Sequence, residues 1–119
     1  MDAPGGLGFA WGHVRNATAA FLAVDDPSSE CLFLAADCLD LEGLFTELGV
    51  APEFVDEGLD AVGSLSRASA LLEESRRVVP LAVWAAVQAL RARAATQLAL
   101  PGHWWDHAGQ KQYHQFRNL

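Results

Sequence analysis

At 119 residues, 51% of them hydrophobic, the chain has the size of one domain and too much apolar material for a disordered segment. Its formal net charge of −7 argues against a nucleic-acid binder, whose affinity comes from cations set against phosphates. No apolar stretch approaches the ~20 residues of a membrane span, and residues 1–24 lack the pattern of a signal peptide, so a cytoplasmic protein without membrane partners is expected.

Apolar residues recur at helical spacing almost throughout, and no alternating β-branched run of strand length appears. Residues 1–8 read as a flexible N-terminus. Trp11, Val14, Thr18, Phe21 and Leu22 then form the stripe of a first helix over residues 9–24. Asp26 followed by Pro27 has the form of an N-cap and first helical position, with capping rather than metal binding explaining the Asp25–Asp26 pair. Cys31, Leu34, Ala35 and Cys38 share one face of the helix that follows. The two cysteines stand about two turns apart, too far for a disulfide on a helical backbone, and read as reduced core thiols. Leu41, Leu44, Phe45 and Leu48 continue the pattern, and Gly43 is where residues 27–48 would divide if they form two helices rather than one.

Gly49 follows the last apolar residue as a left-handed C-terminal stop, with Val50 placed for the accompanying apolar contact. Ala51–Pro52 predicts a new helix ending at Gly63, with Phe54, Val55, Leu59 and Val62 inward. Ser64 is expected to cap the next helix, which buries Leu65, Ala68, Leu72 and then Val79. Pro80 opens the most regular helix, residues 80–99, with Trp84, Val87, Leu90, Ala94 and Leu98 on one stripe, and Pro101–Gly102 ends it. The expected fold is all-α: a single domain over residues 1–119, with about five short helices in a compact bundle. Residues 101–119 form an aromatic, histidine-rich C-terminal segment that packs on the bundle as an anchor.

Charge divides along the chain. Between Asp25 and Asp60 the ionisable residues are all acidic apart from the cysteines, whereas Arg67, Arg76, Arg77, Arg91, Arg93, Lys111 and Arg117 follow. Acidic helices packed beside basic ones within the monomer would explain the split, as would an acidic face that docks a basic partner. Isoleucine is absent and Lys111 is the lone lysine, a pattern we ascribe to coding bias in a GC-rich, bacterial-type genome.

Residues 41–59 have the spacing of a helix-turn-helix, with Gly49 as the turn. The positions that would enter a DNA groove include Glu53, Asp56, Glu57 and Asp60, and carboxylates there repel phosphates and offer base edges none of the usual donors. These four residues are therefore candidate contacts to a protein partner.

Residues 101–116 read PGHWWDHAGQKQYHQF. On a helical turn His103, Asp106 and His107 share a face, a set suited to a divalent transition metal or to acid–base catalysis, with Trp104 and Trp105 walling a small-molecule pocket. The same residues suit a tail that anchors through its tryptophans, and HxxDH lacks the glutamate base of the HExxH motif. His13 reads as a surface or capping residue, with a ligand contact as its alternative. No phosphate-binding loop, CxxC pair or nucleophile elbow is present. Two readings result. One is a helical protein that binds another protein or itself, without catalysis or cofactor. The other is a small enzyme or ligand- or metal-binding protein with its pocket between bundle and tail.

Overall fold

The computed structural model describes residues 5–74 and 79–99. Among them the regular elements are four α-helices: α1 (Gly5–Leu22), α2 (Ser29–Glu47), α3 (Ala61–Glu74) and α4 (Leu81–Ala99). α1 packs on α2 and, most extensively, on α3, while α4 packs on both α2 and α3, closing a ring of four neighbours around one core. The apolar stripes read from the sequence form that core: Val14 and Phe21 from α1, Leu34, Leu41 and Phe45 from α2, Leu65 and Leu72 from α3, Val87 and Leu90 from α4.

Burying a leucine or phenylalanine side chain contributes about 1.5–3 kcal/mol, against about 0–1 kcal/mol for an exposed ion pair, so these stripes rather than the charge split hold the helices together. The ion pairs set direction instead. Arg93 of α4 contacts Asp37 and, at 3.3 Å, Glu30 of α2. Ala86, seven residues earlier on α4, shares a cleft with Leu44 of α2. α2 and α4 therefore run antiparallel, with an acidic helix beside a basic residue of the same molecule. α1 and α2 are joined by an aromatic stack of Trp11 on Phe45, centroids 5.8 Å apart. The Trp11 indole donates to Glu42 Oε1 at 2.9 Å, and the Thr18 hydroxyl lies 2.9 Å from Oε2 of the same carboxylate.

The helix boundaries differ from expectation where side chains compete for the backbone. α1 already begins at Gly5, and Leu7 is buried, so residues 5–8 belong to the bundle rather than to a flexible arm. Leu22, at its other end, is 59% exposed rather than part of the stripe. α2 is one helix across Gly43 and is capped by Ser28, whose hydroxyl accepts the Cys31 N–H at 3.1 Å. Asp26 takes the left-handed conformation (φ 52°), which an aspartate tolerates, and so lies in the turn ahead of the cap. Gly49 adopts φ 77° and closes α2 as the sequence implies.

The largest correction concerns residues 51–60, which form no helix. Gly58 sits at φ 67°, and Asp60 is the cap of α3: its Oδ1 accepts the Gly63 N–H at 2.7 Å and its carbonyl accepts the Ser64 N–H at 2.8 Å. α3 therefore starts at Ala61. Ser64, expected as the cap, is buried inside the first turns, and Gly63 opens the helix instead of ending one. The helix-turn-helix over residues 41–59 has no second helix. Among the described residues four helices stand in place of about five, and the expectations for residues 101–119 lie outside them.

Candidate protein-docking site

Gly8, Gly12 and Asn16 stand at i, i+4 and i+8 on α1 and make a shallow bed along one side of the helix. The chain leaving α2 lies down on it. The Glu53 N–H donates to the Gly8 carbonyl at 3.0 Å, and Asn16 Nδ2 donates to the Val55 carbonyl at 2.9 Å. The approach is close enough to require glycine: a Cβ at position 12 would stand 2.1 Å from the Glu53 carbonyl oxygen and 2.6 Å from Val55 Cγ2. Residues 51–55 thus form a strap pinned on either side of Phe54, with the Glu53 N–H and the Val55 carbonyl answered by α1 rather than by a helix of their own.

Pinning the strap fixes what it displays. Val55 is half-buried, while Phe54 is 88% exposed. Glu53, Asp56 and Glu57 are exposed around it, and Leu59 is 42% exposed further along. A groove of about 370 Å³ runs beside the strap, lined by Gly12, Arg15, Asn16, Pro52, Phe54 and Val55. Of the four carboxylates read as candidate partner contacts, Glu53, Asp56 and Glu57 are exposed to solvent, whereas Asp60 is buried and turned into the α3 cap. Phe54 and Leu59, expected inward, are the exposed apolar residues of the strap.

His13 is not the surface residue expected. It is 2% exposed, its Nδ1 has no hydrogen-bond partner, and Nε2 lies 3.8 Å from Glu57 Oε2. Burial lowers its pKa; Glu57 works against that shift and Arg67 adds to it, so the ring is held neutral. Cys31 and Cys38 are buried and unpaired, and burial pushes their thiols up to about 11 and about 12. Neither is a nucleophile near neutral pH. His103, Trp104, Trp105, Asp106 and His107 lie outside the described residues. Among the described residues no cluster of three or more histidine, cysteine or carboxylate side chains could hold a metal ion, and no helix is long and apolar enough to cross a membrane.

The signal for the strap was present in the sequence as a Gly-x-x-x-Gly-x-x-x-Asn spacing on the first helix, which marks a place where another backbone approaches closely. Compared with protein-family models, curated proteins and solved structures, the chain finds no match in any of the three.

Proposed function

We propose that this protein works by binding another polypeptide through the strap, with Phe54 as an apolar plug and Glu53, Asp56 and Glu57 as an acidic rim. One observation carries this reading: Phe54 is 88% exposed on a segment hydrogen-bonded to α1 at both of its flanks. An aromatic side chain on a pre-ordered support binds at low entropic cost, and such residues dominate interface energetics. The matching surface is an apolar socket bordered by arginine or lysine, on another protein or on a second copy of this chain.

The test is a photo-crosslinking phenylalanine analogue placed at position 54 in the producing cells, with adducts identified by mass spectrometry. A discrete adduct is expected, either to one other protein or to a second copy. Its formation falls with Asp56→Lys, more steeply at low salt than at high salt. Phe54→Ala weakens the same association by about 2 kcal/mol or more, roughly thirty-fold. Asp56 is the cleaner charge reversal, because Glu57 also faces His13. Crosslinks to water alone would show that the plug has no socket.

A further inference from the structure

α2 carries a second apolar surface that the strap does not explain. Leu32, Phe33 and Leu39 are 52%, 60% and 52% exposed, and Ala36 and Gly43 are exposed with them. Leu32, Ala36, Leu39 and Gly43 fall at i, i+4, i+7 and i+11, a single strip roughly 16 Å long, with Phe33 on its border. The opposite side of the same helix is already in the core through Cys31, Leu34, Cys38 and Phe45. A helix apolar on both sides is one that has neighbours on both sides.

Because α4 runs antiparallel to α2 with Arg93 beside Glu30, its last residue, Ala99, comes out at the end of α2 that carries Ser29, Leu32 and Phe33. Residues 100–119 continue from that point and hold Trp104, Trp105, Tyr113 and Phe116 together with Lys111 and Arg117. Five residues of extended chain reach about 17 Å, more than the ~10 Å width of a helix, so both tryptophans come within range of the strip. A cleft of about 330 Å³ between α2 and α4, with Leu41, Leu44 and Leu90 among its walls and Asp37, Asp40 and Arg93 beside them, offers room for an indole and acceptors for its N–H.

Charge separates this occupant from a second copy. α2 contains five carboxylates, Glu30, Asp37, Asp40, Glu42 and Glu47, and no lysine or arginine. Two α2 strips face to face would bring like charges together, whereas the C-terminal residues bring Lys111 and Arg117. Tethering also supplies an effective concentration on the order of millimolar, so modest contacts suffice. We propose that residues 103–116 fold back across α2 and cover its outer strip, seating Trp104 and Trp105 against Leu32, Phe33, Ala36 and Leu39 and in the adjoining cleft. This inference uses a different surface from the strap and does not depend on the strap's having a partner.

A nitroxide label on the variant Asp40→Cys tests it in the full-length chain. Cys31 and Cys38, both 0% exposed, leave the new thiol as the reactive one. The Trp104 and Trp105 indole N–H resonances, assigned with Trp104→Phe and Trp105→Phe, are compared with the label oxidised and reduced in dilute monomer. Loss of both signals with the oxidised label is the expected result. Undiminished signals overturn the proposal. So does loss seen only when labelled chains are mixed with separate isotope-labelled chains, which would assign the strip to a dimer. Ser29→Cys, exposed at the α4-exit end, gives the same readout if Asp40→Cys disturbs the fold.

Discussion

His13 occupies the one position on α1 where burial and charge are in open conflict. Its side chain is 2% exposed and its pKa is lowered, chiefly by desolvation. In the unfolded chain the same imidazole titrates near 6.5. Above that pH it is neutral in both states and contributes no pH dependence. As pH falls below 6.5 the unfolded state takes up the proton first, so stability declines until the folded-state value is reached. Urea unfolding as a function of pH should show this decline, and His13→Leu should remove it. The leucine strands no partner of Nδ1, which has none, and the Glu57 carboxylate 3.8 Å from Nε2 is exposed enough to be solvated by water instead. An equal slope in both proteins would place the pH sensitivity elsewhere. A histidine near a helix start gives no hint of this in sequence, because what buries it comes from other elements.

At the scale of elements, the contrast between two glycines tests the strap directly. Replacing a helical glycine with alanine ordinarily stabilises by about 0.5–1 kcal/mol. Gly43 has nothing within 4 Å of its would-be Cβ, and Gly43→Ala should realise that gain. Gly12→Ala drives a methyl to 2.1 Å from a backbone oxygen, and overpacking of that kind costs about 1–3 kcal/mol, which outweighs the propensity gain. Opposite signs in urea titrations are therefore expected; stabilisation by both would mean that the strap does not lie on α1. The start of α3 makes a second prediction. Asp60→Ala removes the acceptor for the Gly63 N–H and should cost about 1 kcal/mol, whereas Asp60→Asn keeps an acceptor oxygen and most of the stability. Asp60 was legible as a carboxylate but not as a cap, since Pro52 and Ser64 each carry an equally good local start signal.

For the molecule as a whole, two thiols report closure of the four-helix ring. Cys31 and Cys38 lie on the inner side of α2, within the core, with burial pushing their thiols up to about 11 and about 12. Thiol reagents act on the thiolate, so labelling at neutral pH requires the helices to part. Both cysteines should react slowly in the native protein and together, at a rate that rises with denaturant in step with global unfolding. Fast reaction of one cysteine in the native state would show that α2 opens on its own. The ion pairs of Arg93 add direction rather than strength to the same closure, and raising salt should shift the unfolding midpoint little.

The helical class, the core stripes, the reduced cysteines, the Gly49 stop and the Pro80 restart were all legible in the amino-acid sequence, because each depends on spacing or on the conformational limits of one residue. Val14, Phe21, Leu34, Phe45, Leu72 and Val87 are buried as their periodicity requires. Residues 51–60 were decided only by tertiary structure. Their local signals favour a helix, but α1 binds the Glu53 N–H and the Val55 carbonyl instead, and glycines at 8 and 12 let the chain come near enough for it. Long-range packing likewise determines that Phe54 faces solvent and that His13 does not, since a side chain's surroundings come from whichever distant segments pack beside it.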